Sequence, residues 1–293
     1  MHIGLQIPSF TWPGGPAQIG PRLVEIAQLA DEVGFASLWL MDHFFQIEMA
    51  GPVDDPMLES YTSLGYLAGV TQKVRLGTLV SGVIYRHPAV LVKSVSTLDV
   101  LSGGRAYFGI GAAWYQREAA GLGIPFPGWK ERYERLEETL QIAKQMWAGT
   151  VAPFQGRHYS LAETLNQPQP LSKPHPPILI GGMGEKKTLR LVAQYGDACN
   201  LVYHAGLDVL CAKLDVLKRH CEEAGRSYEA IEKTVLAGVH LGSGGMTPVQ
   251  VIELCRNLSE TGFQHVIVNL PDVHEITPLE IIGREIIPAV AEF

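Results

Sequence analysis

Cysteine is scarce: the four residues Cys199, Cys211, Cys221 and Cys255 include no C-x-x-C pair. That argues against a disulfide framework and predicts free thiols of an intracellular chain, with Cys211 and Cys221 as small core residues of a helix. Clustered positive charge is also missing. With 23 Lys and Arg against 30 Asp and Glu, the formal net charge is -7, and no basic run or Lys/Arg stripe offers nucleic acid or a membrane surface a footprint. The opening MHIGLQIPSF has neither the charged nor the apolar region of a signal peptide. No apolar stretch approaches the roughly 20 residues that span a bilayer. A cytoplasmic protein is therefore expected. The ten histidines are scattered. Met1-His2-Ile3-Gly4 carries no His-x-His and the chain has no H-E-x-x-H, so no metal site is expected. The fourth and seventh strand ends, Gly-Ala-Ala-Trp and His-Leu-Gly, bear no acids, which removes the facing carboxylates that glycoside hydrolysis needs.

What is abundant is rhythm. With 46% hydrophobic residues in 293, the chain has enough apolar material for one large barrel. EVGFASLWL (32–40), QYGDACNLV (194–202) and ETGFQHVIV (260–268) repeat one layout, in which a helical pattern ends on glycine and an apolar run follows. Glycine suits the left-handed position after a helix, and the β-branched and aromatic run after it reads as a buried strand. The helices are amphipathic: Leu23, Ile26, Ala27 and Ala30 share a face, as do Leu207, Leu210, Leu214, Leu217 and Cys221. Thr247-Pro248-Val249-Gln250 and Thr277-Pro278-Leu279-Glu280 both match a capping box with proline at the first helical position. Strands are predicted near 2–7, 36–41, 74–80, 105–111, 177–181, 197–202, 234–240 and 264–269, alternating with about eight helices. The expected fold is a (β/α)8 TIM barrel over residues 1–293, with an excursion around 149–176. A doubly wound sheet is the alternative architecture.

In a barrel of this kind chemistry sits where strands end. YFGIGAAWY (107–115) opens like a dinucleotide fingerprint, but Trp114 occupies the position of the third glycine. The stretch reads instead as a strand ending at Gly109-Ile110-Gly111, with small residues that let a flat ring lie over the mouth. Trp114 then either walls that ring or packs beneath the following loop. Asp42-His43 follows LWLM directly, and pairs a carboxylate with an imidazole able to exchange a proton near neutral pH. The same dipeptide also fits a loop cap beside a backbone-bonded histidine. Gly181-Gly182-Met183-Gly184 ends a strand and EKKTLR begins a helix, which suits either an anion site flanked by Lys186, Lys187 and Arg190 or a tight turn. Loops after the first, fourth and seventh strands are where substrate identity is expected to be set.

Taken together, ADEVGFASLWLMDHF, VRLGTLVSGVIYRHPAVLVKSVSTLDVLSGGRAYFGIGAAWYQRE and PPILIGGMGEKKTLRLVAQYGDACNL resemble the bacterial luciferase-like monooxygenase superfamily, and more closely its branch that depends on coenzyme F-420. The resemblance implies hydride transfer between that 8-hydroxy-5-deazaflavin and a small-molecule substrate. It places Asp42 against the ring and makes Leu79-Val80-Ser81 a bulged strand end, often with a non-prolyl cis peptide in this family. Gly111 lies under the ring, and Gly181, Gly182, Met183 and Gly184 hold the phosphate side. His43 stands where the sugar-phosphate dehydrogenase branch has an active-site histidine, so His43 and Trp114 are the catalytic candidates. The chain departs from that branch at Trp114, near its glutamate acid, and at Phe44-Phe45-Gln46-Ile47, where it has a tryptophan. The resemblance also implies a homodimer and a separate reductase that regenerates the cofactor. The alternatives are an FMN-dependent monooxygenase fed with FMNH2 and a non-catalytic flavin-binding protein.

Overall fold

A computed structural model describes every residue except Ser243. The chain opens with β1 (His2–Ile7), α1 (Pro16–Val33), β2 (Ser37–Leu40) and α2 (Ser60–Ala68). There follow β3 (Arg75–Thr78), the short β4 (Ser81–Gly82), α3 (Pro88–Leu101), β5 (Phe108–Gly111), α4 (Gln116–Gly121) and α5 (Trp129–Trp147). A hairpin of β6 (Phe154–Gln155) and β7 (Ser160–Leu161) lies in the excursion. The remainder runs β8 (Ile178–Gly181), α6 (Thr188–Tyr195), β9 (Ala198–Val202), α7 (Leu207–Ala224), β10 (Glu232–Gly238), α8 (Pro248–Thr261), β11 (His265–Asn269) and α9 (Thr277–Ile281).

The sheet order is β3-β2-β1-β11-β10-β9-β8-β5-β4, and its strands pair in parallel. The gap between β3 and β5 is bridged at Leu76 and Ala106. There Leu76 N–H donates to the Arg105 carbonyl at 2.9 Å and Tyr107 N–H to the Leu76 carbonyl at 2.8 Å. The result is the expected (β/α)8 barrel, with β4 as an extra two-residue piece at its mouth.

The larger apolar core lies between the strands and the helices, and includes Leu23, Ile26, Leu136, Leu140 and Leu217. A second cluster, Trp39, Tyr107, Leu179, Ala198 and Ile267, fills the lumen. Trp39 fits because β3 carries Gly77, where an added Cβ would come within 2.7 Å of the indole. Below it the lumen is sealed by polar groups. The Trp39 indole N–H donates to Ser37 Oγ at 2.6 Å, Ser37 Oγ meets His265 Nε2 at 2.9 Å, and His265 Nδ1 meets Glu232 Oε1 at 3.0 Å. Ser, His and Glu here stand in the order of a nucleophile triad. Ser37 is fully buried at the amino-terminal ends of the strands, so the group is a plug and not a reactive site.

Several local expectations are corrected. Gly34 and Gly262 take left-handed backbone (φ 99° and 107°), but Gly196 is extended, with φ -79°. Crowding explains that glycine: a Cβ would meet the Val192 carbonyl at 3.1 Å. The Thr247 capping box forms in full. The Thr277 box does not, because Thr277 already lies inside α9 and Leu279 N–H is bonded to the Ile276 carbonyl at 2.8 Å. Cys211 is exposed on α7, one position off the buried stripe of Leu210, Leu214, Leu217 and Cys221. The excursion is tied to α5 by Glu138, which accepts backbone N–H bonds from Arg157, His158 and Tyr159 at 2.7, 3.0 and 3.0 Å. Among the described residues no helix is long and apolar enough to cross a membrane.

Candidate active site

The carboxyl ends of the strands open on a cavity of about 490 Å³. It is lined by Asp42 and His43 after β2, by Leu79 and Val80 between β3 and β4, by Ser81 of β4, by Gly111 at the end of β5 and by Trp114 after it. Gly181, Gly182, Met183 and Gly184 after β8 complete the set singled out from the sequence. Among the described residues the loops after β1 and β10 supply none of this lining, although Leu236 of β10 does.

The floor is Val80. Its peptide bond to Leu79 is cis, and its side chain lies across two neighbouring strand ends. A Cβ added at Gly111 or at Gly181 would come within 2.9 Å of a Val80 methyl. Glycine at both places leaves the floor low and flat around one isopropyl group. Ser81 faces down: its hydroxyl is bonded to Thr78 Oγ1 at 2.8 Å and to Tyr61 OH at 2.9 Å. Burial pushes the Tyr61 phenol up to about 12.

Asp42 is buried and fully engaged. Arg86 clamps it through two bonds, at 2.7 and 2.9 Å, Ser60 Oγ donates at 2.6 Å, and Gly82 N–H donates at 3.3 Å. Glu59 takes a further bond from Arg86. Burial works against the guanidinium charge, but the carboxylates of Asp42 and Glu59 more than offset it and hold Arg86 above its ordinary value. Asp42 therefore offers the cavity a neutralised edge.

His43 is held by a different carboxylate. Its Nδ1 lies 2.6 Å from Glu118 Oε1, and Glu118 is fully buried. The Tyr85 hydroxyl donates to the same oxygen, while Phe44 and Phe45 N–H groups donate to Oε2 at 2.7 and 3.3 Å. Burial alone raises the Glu118 carboxyl, but these donors outweigh it and hold it below its ordinary range. Trp114 and Tyr115 stand edge-on to the His43 ring at 5.5 and 5.7 Å. Trp114 is not packed beneath a loop: it is 50% exposed and lines the cavity. It is set there by Ala113, whose backbone is left-handed (φ 59°) and whose carbonyl accepts a bond from Arg132 at 2.7 Å.

At the β8 end, Gly182 takes a φ of 125° that other residues avoid. No side chain caps α6, and of its first N–H groups that of Leu189 already donates to the Gly184 carbonyl at 3.0 Å. The three cations expected there divide. Lys186 and Lys187 are exposed at the turn. Arg190 is turned away to Glu137 at 3.1 Å.

The arrangement joins a flat floor, an exposed indole, one imidazole and a glycine-rich turn at the start of α6. A family model for luciferase-like monooxygenases matches residues 1–245. The chain belongs to the luciferase-like monooxygenase family. It is 31% identical over 216 residues to a glucose-6-phosphate dehydrogenase of Kineococcus radiotolerans named as F-420-dependent, an alignment covering 73% of this chain and 62% of that one. The chain thus spans less than two thirds of that relative's length. Among solved structures, an F-420-dependent secondary alcohol dehydrogenase superposes with a TM-score of 0.82 at 20% identity, covering 99% and 98% of the two chains. A monooxygenase of Streptomyces bottropensis gives a TM-score of 0.81 at 19% identity, covering 98% and 99%. At these identities the structural matches speak for the barrel alone.

In this member of the luciferase-like family, the sequence reading missed Arg86, Glu118 and Tyr85. Arg86 carries a signal, because it stands at the end of the quoted GVIYR stretch, two residues before the proline that opens α3. Glu118 carries a weaker one: an acid beside Ala119 on the buried side of α4.

Proposed function

We propose that this chain is a coenzyme F-420-dependent oxidoreductase that moves a hydride between the deazaflavin and a small organic substrate bearing a carbonyl, alcohol or activated alkene. The observation that carries the reading is the low glycine floor around Val80 beneath a single carboxylate-held imidazole. The named activity of the Kineococcus relative supports it. The residues fit the group. Val80, Gly111 and Gly181 would underlie the ring, Asp42, Leu79 and Ser81 would border it, and Gly182-Met183-Gly184 with the start of α6 would take the phosphate. When bound, a deazaflavin supplies a hydride and does not activate oxygen. The protein's part is to position, to exclude water and to handle the proton. Trp114 puts an indole where the sugar-phosphate branch has an acid, so that duty falls to His43.

FMN, with FMNH2 delivered by a separate reductase, is the second reading; the match to the luciferase-like monooxygenase family model favours it. A homodimer is proposed on the outer face of α2 and α3, where Tyr66, Val90 and Leu101 are exposed beside a groove of about 690 Å³. That groove is larger than the mouth cavity but lies outside the barrel, away from the strand ends. The test of function is anaerobic turnover of F-420 with secondary alcohols, and of its reduced form with ketones and enones. Hydride transfer in either direction is expected. Oxygen uptake with FMNH2 and no F-420 turnover would replace this reading with the second one, and bound cofactor without turnover would leave a carrier protein.

A further inference from the structure

We propose that Glu118 is the positioning residue of the proton-transfer group, fixing His43 as the Nδ1–H tautomer so that Nε2 alone exchanges a proton with the substrate. The inference rests on the reading of His43 as that group.

The geometry leaves one assignment for the ring. A carboxylate accepts and does not donate, so Nδ1 carries the hydrogen in the 2.6 Å contact. Neither carboxylate oxygen has room for a second role: Oε1 receives His43 and Tyr85, and Oε2 receives two backbone N–H groups. A carboxyl with four donors aimed at it stays ionised and keeps its grip on Nδ1 through a reaction cycle. Among the described residues Nε2 has no hydrogen-bond partner, and the ring lines the cavity without being sealed from solvent. Edge-on contact with Trp114 and Tyr115 limits rotation of the ring.

The proton balance follows. In the reducing direction the substrate carbonyl carbon accepts a hydride, and its oxygen takes the Nε2 proton of the imidazolium. The neutral imidazole keeps Nδ1–H on Glu118 and regains its Nε2 proton from solvent. In the oxidising direction neutral Nε2 takes the alcohol proton as hydride leaves carbon. Tyr85, which lines the cavity and shares Oε1, holds the carboxylate from the other side and is not required for the tautomer.

The test is nitrogen NMR of ¹⁵N-histidine-labelled protein without cofactor, repeated on Glu118→Gln and Tyr85→Phe. Wild-type His43, when neutral, should carry its hydrogen on Nδ1, and Tyr85→Phe should leave it there. Glu118→Gln should release the tautomer and lower kcat about 10- to 100-fold, with F-420 affinity changed less than about threefold. A wild-type ring protonated on Nε2 overturns the proposal even if Glu118→Gln fails to fold. So does full kcat in a folded Glu118→Gln protein. A fixed tautomer in a protein that transfers no hydride would sink the functional reading while leaving the assignment of Glu118 standing.

Discussion

His43 presents only one nitrogen to a ligand, which makes its removal informative. His43→Ala should lower kcat by about 10²- to 10⁴-fold while F-420 still binds; turnover unchanged in steady-state kinetics would dismiss it as the proton carrier. Asp42 makes a contrasting case, because its carboxylate is spent on Arg86 and its value to the fold exceeds any direct contact. Arg86→Leu strands a buried charge and should cost about 3–5 kcal/mol in urea unfolding, although Ser60 and Gly82 still donate to Asp42. A loss below about 1 kcal/mol would show that those two donors suffice. Asp42 and His43 were legible because they sit together after an apolar run. Their partners were not, since Arg86 and Glu118 lie 44 and 75 residues further along. Only closure of the barrel brings them in.

The helix ends supply a paired test at the next scale. Thr247 caps α8 with a reciprocal bond to Gln250, whereas Thr277, with the same local sequence pattern, caps nothing. Thr247→Ala should therefore cost about 1 kcal/mol and Thr277→Ala less than about 0.5 kcal/mol in thermal unfolding; equal effects would contradict the account. The sequence motif alone does not separate them, because the position where the helix begins is set by the left-handed Ile276 before it. Gly196 teaches the same point. Its glycine is favoured by two crowding carbonyls instead of by a left-handed turn. The strands were the most readable elements, since full burial on both faces demands continuous apolar runs. β4 is two residues long and leaves no periodic signal.

Across the whole molecule, the alternation of eight apolar runs with amphipathic helices was enough to indicate a barrel, while the lumen filling of Trp39 and the Ser37–His265–Glu232 plug depended on register between distant strands. Those buried acids also set the response to pH. Burial raises the carboxyls of Asp31, Glu118 and Glu232, yet their hydrogen-bond donors prevail and hold all three below their ordinary values. A group with a depressed folded pKa stabilises fully above its unfolded value and loses that contribution as pH falls through the folded one. The contribution of these three carboxyls to Tm should thus be constant above about pH 5 and be lost steeply below about 4; a Tm that rises on acidification through that range would reverse the sign. The central claim concerns the mouth of the barrel. It is tested most directly by paired titrations of the cofactor-free protein with F-420 and with FMN, read by fluorescence quenching and repeated on Gly181→Val. Tight F-420 binding, weak FMN binding and loss of both in the variant are predicted. Preference for FMN, or F-420 binding untouched by a side chain crowding Val80, would contradict the account.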